Sequence, residues 1–354
     1  MTCWPRTPET PACLTPGDRI AVVSPSWGGP SVFPHRFDAG IDFVARTFGL
    51  EVVEMEHVRA PAQWLATHPE ARAGDLMTAF ADISISAIVA SIGGDDAIRL
   101  LPYLDLNVIS KNPKVFVGYS DATVLHFACL KAGIGSFYGP TVMAGFAENG
   151  GMHEYSVSSV LSILFSGDVP GEISSNTNGW TDEVLDWANP SNQNRKRMLN
   201  PCEPPRLLQG KGKVEGRLIG GCAEVLEMIK GTSLWPPIEY WDRAILFYET
   251  SEEAPSPTQV KRWVRNLGAQ GILERLSGIL LGRPGGGIAR GRHGEYGEAV
   301  GEILAEYGAR HVALLTGLDF GHTDPMMTLP YGRMAKIDCD RQTFSILEPA
   351  VKAV

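Results

Sequence analysis

The sequence predicts an α/β protein built on a parallel sheet, and three observations predict it. Short apolar or β-branched runs alternate with segments of helical periodicity along most of the chain. Several of those runs are almost continuously apolar, as expected of strands covered on both faces. They end in turns rich in Gly, Ser and Asp, and parallel sheets carry their ligand sites beyond the carboxyl ends of their strands.

The elements follow in order. Arg19–Ser24 reads as a strand ending at Pro25-Ser26-Trp27-Gly28-Gly29. His35–Phe48 places Phe37, Ile41, Val44, Ala45 and Phe48 at helical spacing. Leu50–Met55 is a second strand, and Pro69–Asp82 a helix with Leu76, Met77, Phe80 and Ala81 on one side. Ile85–Ile92 is a buried strand stopping at Gly93-Gly94-Asp95-Asp96. Lys114–Tyr119 repeats the theme: a strand, a sharp turn at Ser120, then a helix from Asp121 to Ala132.

From Ser166 to Leu208 the periodicity fails, and the segment is rich in Asn, Pro and Gly with tryptophans at 180 and 187. Long irregular segments are functional or disordered, and two tryptophans favour a ligand-covering loop. Alternation then resumes: strands at Gly212–Ile219, Ala244–Tyr248, Gly278–Leu281 and His311–Thr316, helices at Cys222–Ile229, Thr258–Leu267 and Glu295–Tyr307. Met334–Asp338 and Thr343–Leu347 read as a closing hairpin. We therefore divide the chain into an N-terminal α/β domain (1–165), a long loop (166–210) and a C-terminal domain (211–354).

The 354 residues suit one large domain or two domains sharing a site. A net charge of -9 disfavours a nucleic-acid surface, which needs clustered Lys and Arg, and leaves room for a small anionic ligand in a local pocket. Met-Thr-Cys-Trp-Pro-Arg at the start is no basic lead into an apolar stretch, and no run approaches the length of a membrane helix. The expectation is a cytoplasmic protein with reduced thiols, since Cys3, Cys13, Cys129, Cys202, Cys222 and Cys339 form no C-x-x-C pair. No H-E-x-x-H or paired Cys/His spacing is present, so neither a metal nor another cofactor is expected. Gly282-Arg283-Pro284-Gly285-Gly286-Gly287 lacks the Lys-Ser/Thr of a phosphate-binding loop and reads as a turn.

Chemistry concentrates at three strand ends. Gly118-x-Ser120-x-Ala122 resembles the G-x-S-x-G turn that exposes a serine hydroxyl ahead of a helix. A serine needs a base to take its proton, and the base needs a third group to orient it. His322 follows an apolar strand in a Gly-containing loop, and Glu249 ends another. The competing readings are a helix-capping serine, a solvated histidine and a solvated glutamate. His126, on the helix after Ser120, reads as a packing residue. Gly94 and Asp121 would supply N–H donors for an oxyanion; glycine at 94 suits a close backbone approach, or simply a turn.

Six separated blocks carry a resemblance. They are Ser24-Pro25-Ser26; Ser91-Ile92-Gly93-Gly94-Asp95-Asp96 with Arg99-Leu100-Leu101-Pro102-Tyr103; and Gly118-Tyr119-Ser120-Asp121. Gly216–Gly221, Leu246–Glu252 and Gly321-His322-Thr323-Asp324-Pro325 follow in the second half. With them the sequence resembles the LD-carboxypeptidase family of serine peptidases, in its microcin C immunity branch. The resemblance implies a Ser120–His322–Glu249 triad in an interdomain cleft and, commonly, a homodimer. It also implies a flavodoxin- or Rossmann-like N-terminal domain with a C-terminal α/β domain of the swivelling type.

Within that family two substrates compete. The immunity branch cleaves an aminoacyl group from a nucleotide-like moiety, and the murein branch trims D-Ala from tetrapeptides. Trp180–Glu183 and Trp187 resemble the first branch's extended loop, where an indole stacks on a nucleobase; the alternative is that the tryptophans pack beneath the loop. Trp187 is the preferred contact. Gly93 and Asp95 complete the expected substrate site. Two positions depart from the family pattern: Cys222 stands where an amide is expected, and Glu253 where some relatives carry a lysine. A glutamate there would disfavour acidic aminoacyl groups. An inactive ligand-binding homologue is the non-enzymatic alternative.

Overall fold

The computed structural model describes residues 4–5 and 7–353. Cys3 and most of the Met1–Arg6 segment considered above lie outside the described residues. Five strands come first: β1 (Arg19–Val23), β2 (Glu51–Glu54), β3 (Ala87–Ala90), β4 (Val115–Gly118) and β5 (Phe137–Tyr138). Next are β6 (Gly171–Glu172), β7 (Arg206–Gln209), β8 (Lys213–Cys222), β9 (Ile245–Glu249) and β10 (Gly278–Gly282). The last are β11 (Ala313–Leu318), β12 (Leu329–Pro330), β13 (Met334–Asp338) and β14 (Thr343–Ile346).

They form two sheets. The first runs β12-β5-β4-β3-β1-β2, parallel from β5 to β2. Its order across the first five strands, 2-1-3-4-5, is that of flavodoxin-like sheets, whose ligands sit where the strand order reverses. Alternation explains the unbroken apolar runs. Ile88 and Phe116 face Leu76, Phe80 and Leu125 on one side, while Val89 and Val117 join the core containing Phe37 and Phe127 on the other. The helices Pro34–Phe48, Pro69–Ala81 and Thr123–Ala132 supply those partners.

The second sheet runs β6-β14-β13-β8-β9-β10-β11-β7. Its centre, β8 to β11, is parallel, and antiparallel strands extend both edges. The β13–β14 hairpin pairs Ala335 with Ile346 and Ile337 with Phe344. The irregular segment is therefore not wholly a loop. Its ends contribute β6 and β7 to the second sheet, strands too short to show a period.

The two halves are sewn together where the site will form. Strand β12 crosses back to pair with β5. Next to it the Tyr331 hydroxyl donates to Gly220 O at 2.7 Å. Across the same seam Cys222 N–H donates to Thr123 Oγ1 at 3.2 Å. The carboxyl ends of β1, β3 and β4 thus face those of β9 and β11. Among the described residues no helix is long and apolar enough to cross a membrane.

Candidate active site

Ser120 follows β4 with φ of 60°, a left-handed conformation costly for a residue with a Cβ and one that persists only where its surroundings fix it. Three contacts do so. A Cβ on Gly118 would approach Ala122 Cβ to 2.8 Å, so the turn closes only with glycine there. The Ser120 N–H donates to the Tyr138 hydroxyl at 3.2 Å. His126 hydrogen-bonds Gly118 O through Nε2 and Ser136 Oγ through Nδ1, both at 2.9 Å. His126 is a packing residue with both nitrogens used.

The carboxylate of Asp121 is fully buried and ties two loops to the serine turn. Its Oδ2 accepts from Ser26 Oγ at 2.6 Å and from the Ala97 N–H at 2.7 Å. Burial raises its pKa, opposed by those hydrogen bonds. Arg72, beneath the same loops, donates to Pro25 O, Ser26 O and both oxygens of Asp96. Gly93 lies against the Ser120 turn: a Cβ there would stand 3.0 Å from Ser120 Cβ and 3.6 Å from Asp121 N. Gly94 has φ of +151°, and a Cβ on it would strike Ser26 Oγ at 2.2 Å. Gly94 is exposed and Gly93 buried, and both line the cleft that holds Ser120.

Opposite stands a carboxylate–histidine pair. Glu249, at the end of β9, is fully buried with both oxygens engaged. Oε1 accepts from the Tyr138 hydroxyl at 2.5 Å, and Oε2 accepts from His322 Nδ1 at 2.8 Å. A side chain on Gly321 would come within 2.5 Å of Glu249 Oε2, so the pair needs glycine before the histidine. His322 packs on Tyr119, ring centroids 5.0 Å apart. Its outer nitrogen, Nε2, meets Glu252 Oε2 at 3.0 Å rather than Ser120. Burial opposes a charge on His322, but Glu249 and then Glu252 outweigh it and hold the imidazole well above its ordinary pKa. The hydrogen bond from His322 in turn pulls Glu252 down to about 2.

Ser120, His322, Gly93, Gly94, Asp95 and Trp187 line one cleft of about 550 Å³, within the usual range for small-molecule sites. Trp187 is fixed in the cleft wall, with the Arg36 guanidinium 4.0 Å from the ring centroid and Phe33 edge-on at 5.8 Å. Arg36 is itself fixed by Met143 O and Asn149 Oδ1, and burial lowers its pKa to about 10. Arg197, on the long loop, bridges Glu148 of the first half and Asp324 beside His322.

Three expected contacts are not made. Trp180 is 2% exposed and sits away from the cleft, under Arg283 and against His293, with its backbone paired to Asn200. It anchors the loop because its indole is covered by the second domain. Cys222 is buried behind Glu249, its thiol donating to Glu224 Oε2, and the wall of Glu249 and His322 keeps it from the cleft. Glu253 points to solvent, and its neighbour Glu252 takes the place at the cleft. Cys222 Sγ, Glu249 and His322 offer donor atoms within 4.8 Å of one another. Both Glu249 oxygens are already hydrogen-bonded, and burial, then Glu249, holds the thiol neutral. This arrangement suits proton handling better than a metal ion.

Tyr138, Glu252, Arg36 and Arg197 are site residues the sequence reading did not single out. Only Glu252 had a local signal, its place three residues after Glu249 in an acidic turn.

The comparisons place this α/β fold in a family of peptidases. Residues 20–139 match the LD-carboxypeptidase N-terminal domain and residues 215–337 the LD-carboxypeptidase C-terminal domain. The chain belongs to the LD-carboxypeptidase family. It is 31% identical over 343 residues to the microcin C7 self-immunity protein MccF of Escherichia coli, covering 96% of each chain. A solved structure of MccF in complex with aspartyl sulfamoyl adenosine matches at a TM-score of 0.83 and 30% identity, covering 98% of this chain and 100% of that one. An MccF-like protein from Streptococcus pneumoniae in complex with AMP matches at a TM-score of 0.83 and 31% identity, covering 93% and 98%.

Proposed function

We propose that this chain is a serine peptidase of the microcin-immunity type, hydrolysing the amide or phosphoramidate bond between an aminoacyl group and a nucleotide-like moiety. The observation that carries the reading is a single cleft lined by the strained Ser120, by His322 of the Glu249–His322 pair and by an Arg36-backed indole, Trp187. Its volume of about 550 Å³ has room for a two-part substrate. The relatives solved with aspartyl sulfamoyl adenosine and with AMP support the same substrate class.

In this reading Glu249 orients His322 through Nδ1, leaving Nε2 to take the Ser120 hydroxyl proton. Ser120 Oγ bonds to the acyl carbon, and the oxyanion is met by the N–H groups of Gly94 and Asp121, each worth on the order of 10²–10³ in turnover. His322 returns the proton to the leaving nitrogen, whose nucleotide portion stacks on Trp187, and the amine departs. Water then repeats the sequence on the acyl-enzyme, releasing the acid and restoring Ser120. Gly93 and Asp95 flank the acyl group. A cytoplasmic homodimer, measurable by light scattering, belongs to the same reading.

The test is incubation with an aminoacyl sulfamoyl adenosine and with a murein tetrapeptide, read by mass spectrometry. Cleavage of the nucleoside substrate, lost in Ser120→Ala, supports the reading. Cleavage of the tetrapeptide alone assigns the chain to the murein branch. No cleavage of either, with no fluorophosphonate labelling at Ser120, removes the hydrolase.

A further inference from the structure

The nitrogen that should face the nucleophile is taken by a carboxylate. Glu252 Oε2 holds His322 Nε2 at 3.0 Å, while Ser120 Oγ has no hydrogen-bond partner among the described residues. An imidazole pinned between two carboxylates keeps its proton and cannot accept another. Unlike Glu249, whose two oxygens are locked in a buried network, Glu252 has a side chain 72% exposed and lies on the cleft wall. It is free to swing away, and something in the cleft has to draw it.

We propose that Glu252 is a specificity-determining carboxylate that binds a positive charge on the acyl part of the substrate and thereby releases His322 to act as the base. The inference rests on the functional reading above and goes beyond it by naming the acyl class: aminoacyl groups with a cationic side chain. An incoming ammonium or guanidinium replaces the imidazolium as the partner of Glu252. The Nε2 proton of His322 is then lost to water, and its lone pair faces Ser120. An acidic acyl group repels Glu252 and leaves it on the histidine, so attraction and rejection come from one side chain.

The other groups around His322 do not supply this control. Glu249 Oε2, from β9, holds Nδ1 in every state. Cys222, from the end of β8, is held neutral by burial and by Glu249. Tyr119, before the serine, is held neutral by burial and by the acidic groups around it. Asp324, two residues on in the histidine's own loop, is engaged by Arg197, which also pairs with Glu148. Of the carboxylates in this set, Glu249 and Asp324 are tied to other side chains, whereas Glu252 is tied to His322 alone among the described residues.

Glu252→Gln keeps the size and removes the charge, and the exposed position leaves folding intact. Two readouts test it. The first is the pH dependence of Ser120 labelling by a neutral fluorophosphonate, which needs no knowledge of the substrate. Losing one carboxylate lowers the pKa of His322, so the acid limb moves down by about one unit. The second is kcat/KM for lysyl, leucyl and glutamyl sulfamoyl adenosines. The unsubstituted protein favours them in that order, with lysyl over glutamyl by about tenfold or more, and Glu252→Gln collapses the ratio. An unmoved acid limb together with an unchanged order overturns the proposal. If no nucleoside substrate is cleaved by either protein while the acid limb still moves, the substrate reading fails and the control of His322 by Glu252 stands.

Discussion

Tyr138 donates its hydroxyl proton to Glu249 Oε1 at 2.5 Å across the seam between the two sheets. The Tyr138 phenol oxygen in turn accepts the N–H of Ser120 at 3.2 Å. One phenol therefore holds the backbone of the proposed nucleophile and the carboxylate behind the proposed base in a fixed relation. Burial, reinforced by Glu249, holds its pKa far above the ordinary tyrosine value, so it stays a donor throughout the working range.

Removing that hydroxyl leaves two polar groups without a partner. Tyr138→Phe is expected to cost about 1–3 kcal/mol of stability, the usual penalty for an unsatisfied buried group. The catalytic loss should fall on kcat rather than KM, because the phenol does not line the cleft. Urea unfolding and steady-state kinetics measure the two effects. A variant with wild-type kcat shows that Tyr138 has no part in positioning Ser120.

The loops that flank Ser120 rest on a buried cation. Arg72 is fully buried at its side chain and joins Asp96 to the Pro25 and Ser26 carbonyls. Arg72→Met frees those carbonyls and leaves Asp96 with the exposed Arg99 and a long contact from Ser26 Oγ at 3.5 Å. Breaking a buried pair from one side costs about 3–5 kcal/mol, and the expected result is a lowered thermal midpoint of that order. A midpoint within experimental scatter of the unsubstituted protein contradicts this role.

How much was legible in the sequence follows from where each residue sits. Ser120, Glu249 and His322 each follow an apolar strand, and a parallel sheet has to present strand ends at one edge, so a linear pattern could find them. Tyr138 could not be found that way, since β5 has two residues and Phe137-Tyr138 reads as core. The choice between Glu252 and Glu253 depends on the loop's path through Ala254, at φ of 53°, and adjacent glutamates carry no sign of it. Trp180 and Trp187 looked alike because the arginines that separate their roles, Arg283 and Arg36, are distant in sequence.

Those two tryptophans give opposite expectations. Trp187 borders the cleft and is backed by Arg36, so Trp187→Ala should remove a stacking contact worth about 1–3 kcal/mol per base. Turnover of an aminoacyl sulfamoyl adenosine then falls far more than that of any peptide substrate, with little change in stability. Trp180 is buried, and Trp180→Ala should cost about 3–5 kcal/mol of folding free energy. Paired melting curves and kinetics separate the two. Equal kinetic effects on nucleoside and peptide substrates remove the stacking role from Trp187.

Acid sensitivity should trace in part to His126. Burial lowers its pKa from 6.5 to about 3, partly offset by its hydrogen bond with Gly118 O. That carbonyl can only accept, so Nε2 carries the proton and Nδ1 accepts from Ser136 Oγ. The native state keeps the ring neutral, whereas the unfolded chain protonates it below its ordinary value. Stability from this group is therefore complete above pH 6.5 and is lost as pH falls toward 3, at about 1.4 kcal/mol per unit. His153 and His293 are lowered in the same direction by burial, so the comparison has to isolate one ring. His126→Gln removes the titration while keeping a donor near Gly118 O. Urea unfolding of both proteins between pH 7 and 4.5 should give a shallower decline for the variant. Parallel declines would show that His126 takes up its second proton in the folded protein as readily as in the unfolded chain, against the lowering that burial imposes.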